Sequence, residues 1–123
     1  MSKSSPWCLA VVLLITAPGA PGCGGVPKPE ARIATSQGAI RGAEEAGADS
    51  VPQATLHLKL AQEQREQALE LIKNGENHRA ELLLARAEAD AELALALARE
   101  ATAAAEVEKA TEDLDALSNQ ADQ

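Results

Sequence analysis

Aromatic side chains are almost absent from this sequence, which has no Phe or Tyr and only one Trp, Trp7, near the N-terminus. Sugar-binding clefts and single-stranded nucleic-acid grooves depend on aromatic stacking, which contributes about 1–3 kcal/mol per base in the nucleic-acid case. Basic side chains are scarce as well, since 11 Lys and Arg stand against 19 Asp and Glu and give a net charge of -8. Such an acidic surface repels phosphate backbones and anionic headgroups. Nucleic acids are therefore excluded as partners.

Residues able to carry catalysis or to hold a metal are also few. The chain has two cysteines, Cys8 and Cys23, and two histidines, His57 and His78, which are far apart in sequence. No Ser or Thr has a His and an acid arranged around it as nucleophilic catalysis requires. We therefore expect no catalytic site, no metal site, no cofactor and no small-molecule substrate, and we expect both histidines to be solvated.

The first 22 residues have the organisation of an export signal. A short polar start with one positive charge, Lys3, precedes a mostly apolar run of about eleven residues at positions 7–17. A transmembrane helix needs roughly 20 apolar residues. Pro18 and Gly19 then break any helix that follows this run. The pattern predicts a signal peptide over residues 1–22 that is cleaved from the mature chain.

The residues around Cys23 indicate how this signal is processed. The segment Ala20-Pro21-Gly22-Cys23 resembles the lipobox of bacterial lipoproteins, in which a small residue precedes a cysteine that receives lipid before cleavage. By this resemblance the chain is cut between Gly22 and Cys23, and covalent lipid on Cys23 anchors it to a membrane. Gly24 stands where inner-membrane lipoproteins carry Asp, which implies the periplasmic face of the outer membrane. The alternative is an ordinary secretory signal cut nearby, which leaves Cys23 as a plain thiol or in a disulfide with Cys8.

After the cleavage site the sequence predicts a short tether and three helices. Residues 23–29 contain two Gly and two Pro besides Cys23 and form a flexible tether. Gly47 and Gly75 end helices, because Gly takes the left-handed backbone conformation that a helix C-terminus favours. The helical domain is expected over residues 30–118, with helices over about 30–46, 52–74 and 77–117, and residues 119–123 are expected to form a disordered tail.

Apolar residues at helical spacing predict an all-α fold. When residues are placed at about 100° each, the third helix has two apolar stripes as far as residue 98, which predicts contacts with two neighbouring helices. One stripe contains Leu82, Ala89, Leu93 and Ala96, and the other contains Ala80, Leu84, Ala91, Leu95 and Ala98. We therefore expect an antiparallel helical hairpin or three-helix bundle with one long C-terminal helix.

The last part of the third helix keeps a single apolar stripe, which begins at Ala103. Its candidate interaction face consists of Val107, Ala110, Leu114 and Leu117. Two arrangements are open at this point. Either this part overhangs the bundle as a docking surface, or the first helix continues in line with the second and covers it.

One acidic residue, Asp90, lies close to the predicted contact face of the third helix, between Ala89 and Ala91. It is either a half-buried charge paired with Arg65 or Arg86, or a solvated charge at the rim of the bundle.

Four segments of the mature chain resemble the domain-of-unknown-function 4398 family. They are the connector at residues 47–52 (GADSVP), the run at 58–64 (LKLAQEQ), the turn at 74–77 (NGEN) and the run at 87–94 (AEADAELA). Members of this family are short, Ala-rich helical envelope proteins of Gram-negative bacteria and are commonly lipoproteins. The resemblance covers roughly residues 30–117 and implies a location in the envelope more than an activity.

Together these patterns predict a non-catalytic helical lipoprotein that is anchored to the outer membrane by lipid on Cys23 and faces the periplasm. It is expected to act as an interaction or structural module, with another envelope protein or a second copy of the chain as its partner. Two alternatives are a non-covalent cell-wall spacer or peptidoglycan-associated accessory protein, and a periplasmic holdase or metal-binding protein.

Overall fold

The computed structural model describes residues 25–121, which form three α-helices and one short 3-10 turn. Helix α1 spans Glu30–Glu45, α2 spans Pro52–Lys73 and α3 spans Asn77–Ala121, and the 3-10 turn at Ala48–Ser50 lies between α1 and α2. The predicted all-α fold with one long C-terminal helix is confirmed. The predicted signal peptide, the cleavage site at Gly22 and Cys23, and the last two residues lie outside the described part of the chain.

Two glycines adopt the left-handed conformation directly after the ends of α1 and α2. Gly47 has φ 78° and Gly75 has φ 80°, a backbone region that costs other L-residues roughly 1–2 kcal/mol. Pro52 then occupies the first turn of α2, where its missing N–H costs no helical hydrogen bond. Thr55 stabilises the 3-10 turn, because its hydroxyl donates a hydrogen bond of 3.0 Å to the carbonyl oxygen of Ala48. These local signals fix where each helix starts and stops.

Helix α3 is longer than the sequence predicted. It ends at Ala121 instead of about residue 117, so residues 119–121, which were expected in a disordered tail, are helical. The segment from Ser118 to Ala121 contains neither Gly nor Pro, and the helix therefore meets no breaker there. At about 1.5 Å per residue its 45 residues extend for roughly 68 Å.

Helix α1 runs parallel to α3 and antiparallel to α2. Near the start of α1, Ile33 packs against a cluster that includes Leu84 of α3. Further along α1, Ile40 belongs to a cluster with Ala94 and Ala98 of α3. Residue numbers therefore increase in the same direction along both helices, so α1 and α3 are parallel. The first helix therefore folds back along α2 to complete a three-helix bundle, and it does not continue in line with α2.

Alanine forms most of the core of this bundle. Of the 13 buried hydrophobic residues in the described part of the chain, ten are Ala, and the larger ones are Ile40, Leu58 and Leu84. Because a methyl group occupies little space, three helices can approach one another closely along these positions. Such a core is thin, and it leaves little room for a larger side chain at the buried alanines.

Candidate interaction surface

Helix α3 has one buried face and, on the opposite side, one exposed apolar stripe. The buried face contacts both α1 and α2 and consists of Ala80, Leu84, Ala87, Ala91, Ala94 and Ala98. The stripe at Leu82, Ala89, Leu93 and Ala96, which the sequence predicted to contact a second neighbour, is exposed to solvent. That prediction was wrong because α1 and α2 share a single alanine-rich face of α3, so the helix needs no second face to contact both.

The exposed residues continue along α3 in one line, which we call the α3 stripe. Its members are Leu82, Ala89, Leu93, Ala96, Ala103, Val107, Ala110, Leu114 and Leu117, and every one of them is exposed. They recur at intervals of three, four and seven residues, the period of a coiled-coil seam. From Leu82 to Leu117 the stripe is about 53 Å long at 1.5 Å per residue. Two charged residues, Arg86 and Glu100, occupy seam positions between its members.

Beyond the bundle, α3 continues as an overhang, which we define as residues 102–121. All of these residues are exposed, whereas the last buried residue of α3 is Ala98. The overhang carries the candidate interaction face proposed from the sequence. Val107 and Leu114 are each 67% exposed and Leu117 is 62% exposed, and Ala110 between them is exposed as well. Of the two arrangements left open by the sequence, the structure has the overhang, and no described element covers it.

The polarity of the overhang changes on the side that continues the buried face. Glu108 and Glu112 follow Ala98, Ala101 and Ala105 at helical spacing on that side, so no further apolar surface is available for α1 or α2 to cover. A groove at this junction is lined by Val51 and by small residues of α3, including Ala98, Ala101 and Ala105. The Val and Leu side chains of the overhang all lie on the α3 stripe, and the apolar residues exposed elsewhere on the overhang are alanines.

A polar cluster joins α2 to α3 at Asp90. Nδ1 of His57 lies 3.0 Å from Oδ1 of Asp90, and Nε2 of Gln64 donates to Oδ2 at 2.7 Å. This contact is a hydrogen bond when Nδ1 of His57 carries a proton, because an ionised carboxylate can only accept. The side chains of His57 and Asp90 are 28% and 24% exposed, so both are half-buried. For Asp90 the sequence left open a solvated rim charge or a half-buried charge paired with Arg65 or Arg86. The structure has a half-buried Asp90 whose partners are His57 and Gln64. The prediction of a solvated His57 was wrong as well.

The other interhelical polar contacts lie at the rim of the bundle. Glu88 of α3 receives hydrogen bonds from Arg32 at 3.0 Å and from Thr35 at 3.3 Å, both on α1. Gln62 of α2 donates to Glu44 of α1 at 2.8 Å. Two side-chain hydrogen bonds thus join α2 to α3, two join α1 to α3, and one joins α1 to α2. These contacts hold the helices in register. None of them places a Ser, Thr or Cys side chain beside His57.

The segment before α1 is held at the end of the bundle where α2 turns into α3. The side-chain amide of Asn77, the first residue of α3, donates to the carbonyl oxygen of Val26 at 2.6 Å. Lys28 pairs with Glu30 at 3.0 Å. The described chain therefore enters the bundle beside Gly75, at the opposite end from the overhang.

The described residues contain neither a metal-binding cluster nor a membrane-spanning helix. Within residues 25–121, no group of three or more His, Cys, Asp or Glu side chains is arranged to hold a metal ion. No helix in the same part of the chain combines the length and the hydrophobicity needed to cross a bilayer.

The structure brings together the four residues of the predicted interaction face on one side of α3 and leaves them uncovered. It adds Leu82 and Leu93, which are 57% and 44% exposed and belong to the same stripe. Sequence reasoning assigned these two to a bundle contact. The seven-residue spacing that links Leu82, through alanines, to Leu117 was the signal that could have placed them with the overhang. Cys23 and Gly22 lie before the first described residue.

The chain was compared with protein-family models, with curated proteins and with solved structures, and none of them matches it. The resemblance to the domain-of-unknown-function 4398 family therefore rests on the four sequence segments named above.

Proposed function

We propose that this protein is a lipoprotein of the outer membrane that presents the α3 stripe to another component of the cell envelope. In this proposal lipid on Cys23 holds the chain at the periplasmic face of the membrane, and the helices act by binding rather than by catalysis. The observation that carries the proposal is the overhang, a row of exposed Val and Leu side chains that no described element of the chain covers.

The direction of the helices supports this assignment. Val26 is three positions after Cys23, a distance of at most about 10 Å along the chain, and it is hydrogen-bonded beside the start of α3. A lipid on Cys23 would therefore lie at the Gly75 end of the bundle. The tip of α3 is about 65 Å away along the helix axis, at 1.5 Å per residue. The anchor and the exposed stripe of the overhang are at opposite ends, so the overhang points away from the membrane.

The charge of the chain supports the same orientation. The net charge is -8, and an acidic surface is repelled by anionic headgroups within about one Debye length, or roughly 8 Å at physiological salt. Large exposed apolar side chains in a row are uncommon on monomeric proteins and mark contact sites. We propose that the bundle stands off the membrane and holds the stripe where another envelope component can reach it.

Metabolic labelling with an alkyne-bearing fatty acid tests the anchor. The full-length precursor is expected to take up label, the Cys23→Ala variant is expected to lose it, and the Cys8→Ala variant is the matched control that keeps it. Fractionation on a density gradient should place the labelled protein with the outer membrane. Equal label on the Cys23→Ala variant and the unmodified sequence would overturn the proposed anchor.

A photo-crosslinking residue placed on the stripe tests the binding role in intact cells. We expect a discrete cross-linked product from position 114 and none from position 56, which carries an exposed Leu on α2. Identical products from both positions, or none from either, would remove the overhang as the binding surface.

A further inference from the structure

The charges that flank the stripe on the overhang are almost all of one sign. Residues 102–121 contain five acidic side chains and one basic one, Lys109. The acids are Glu106, Glu108, Glu112, Asp113 and Asp115. They give the overhang a net charge of -4 over about 30 Å of helix at 1.5 Å per residue. Any partner that covers the stripe therefore enters a negative field.

The two edges of the stripe differ from each other. On one edge, Glu106 and Asp113 directly precede Val107 and Leu114. Glu106 and Asp113 occupy the flanking positions from which a coiled-coil helix forms ion pairs with its neighbour. On the other edge, Ala104, Thr111 and Ser118 recur at the same seven-residue spacing and are small and uncharged. A second helix can therefore approach closely along the small edge and meets carboxylates along the other.

A second copy of the chain does not complement this surface. If the proposed anchor is correct, two copies stand side by side on one membrane with their α3 helices parallel. Equivalent seam positions face each other in a parallel pair, so Arg86 meets Arg86 and Glu100 meets Glu100. The two overhangs then bring net charges of -4 together. Like charges placed opposite one another oppose association.

We infer that the overhang binds a basic amphipathic helix of another protein. The partner helix lays Leu or similar apolar side chains over Val107, Ala110, Leu114 and Leu117 and places Lys or Arg against Glu106 and Asp113. Apolar burial provides the affinity, and the charges select the partner and speed its encounter. This inference names the partner of the surface proposed above, and the choice of a second protein over a second copy rests on the proposed function.

Two synthetic helical peptides test the inference. Both carry the same Leu and Ala heptad stripe, and they differ only in having Lys or Glu at the flanking positions. Binding is measured by fluorescence anisotropy to the mature chain with Cys23→Ser, which carries no lipid and keeps all three helices. We expect the Lys peptide to bind at least about tenfold more tightly than the Glu peptide, with affinity falling between about 50 mM and about 500 mM NaCl.

Variants separate the apolar contribution from the electrostatic one. Val107→Ser combined with Leu114→Ser should weaken binding of the Lys peptide at least about tenfold. Leu56→Ser, at a Leu of α2 that is 58% exposed, should leave binding unchanged. Glu106→Gln combined with Asp113→Asn should weaken binding of the Lys peptide about fivefold and make the affinity less dependent on salt.

For the charge variant, the matched control is Glu45→Gln combined with Glu63→Gln, which neutralises two exposed acids outside α3 and should have no comparable effect. Equal binding of the two peptides, or equal loss in the control variants, overturns the inference. If sedimentation shows that the chain self-associates, and Val107→Ser combined with Leu114→Ser abolishes this association, the partner is a second copy and the inference is overturned. Fatty-acid labelling of Cys23 tests the lipid anchor, and the peptide measurements test the basic partner. Either proposal can therefore be refuted without the other.

Discussion

Replacing one buried and one exposed leucine of α3 by alanine tests the architecture most directly. Leu84 is fully buried between the three helices, and Leu114 on the overhang is 67% exposed. Leu→Ala removes three carbon atoms, worth about 0.8 kcal/mol each when buried, and the cavity that remains at Leu84 adds to this loss. We expect Leu84→Ala to lower the free energy of unfolding by about 3 kcal/mol.

At Leu114 the same substitution should cost little. About a third of the side chain is covered, which limits the loss to about 0.8 kcal/mol, and the higher helix propensity of Ala offsets part of it. We expect a change below about 0.5 kcal/mol. For a domain of this size, the Leu84 variant should also melt about 12 °C or more below the parent, and the Leu114 variant within about 4 °C of it.

Both values can be measured by urea unfolding of the Cys23→Ser mature chain, followed by circular dichroism at 222 nm. Tryptophan fluorescence is unsuitable because the only Trp is at position 7, within the predicted signal peptide. The scans should be repeated at two protein concentrations. Equal losses for the two variants, or a loss at Leu114 that grows with concentration, would refute the reasoning, because the overhang would then be covered in solution.

Three further predictions concern the bundle itself. Gly38→Ala should stabilise the chain by about 1 kcal/mol, because Gly38 lies in the interior of α1 and an added methyl group would contact no other atom. Gly47→Ala should destabilise the chain by about 1–2 kcal/mol, because φ at Gly47 is 78°. Ala91→Leu should lower the free energy of unfolding by about 2 kcal/mol or more, since Ala91 is fully buried in the cluster that joins α3 to α1 and α2. His57→Ala and Asp90→Ala should show a coupling energy of about 0.5–1.5 kcal/mol in a double-mutant cycle.

Each of these predictions has its own control and contrary outcome. The glycine pair is its own control, and changes of the same sign at both positions would contradict the assigned backbone conformations. Ala103→Leu places the same larger side chain on an exposed site of α3 and should be close to neutral; an equal loss there would remove the overpacking argument. Strictly additive effects at His57 and Asp90 would mean that their hydrogen bond is not formed in solution.

The parts of the fold set by local chemistry were predictable from the sequence. Gly47 and Gly75 end helices because they can adopt the left-handed conformation, and Pro52 opens α2 because the first turn does not need its N–H. The absence of Gly and Pro after Asn77 predicts one long helix. Helical spacing alone identified Leu84 and Ala91 as members of a contact face.

The parts that depend on tertiary register were not predictable in the same way. Two apolar stripes on α3 indicate that both can be buried, but only the position of α1 decides which one is. The exposure of Leu82 and Leu93 follows from α1 and α2 meeting on the other face. The partner of Asp90 depends on the register between α2 and α3, which brings His57 and Gln64 to it instead of Arg65.

The parallel direction of α1 and α3 has a mechanical consequence. When tension acts between residue 25, beside Gly75, and residue 121, at the far tip of α3, the chain is pulled from opposite ends of two helices that run the same way. The force then slides α1 along α3 and loads their alanine contacts and the pair between Arg32 and Glu88 together. An antiparallel α1 would instead be peeled away one turn at a time. Each of these contacts is weak by itself, but contacts that must break together resist force better than contacts that break in sequence, so we expect this small core to bear a load along its axis.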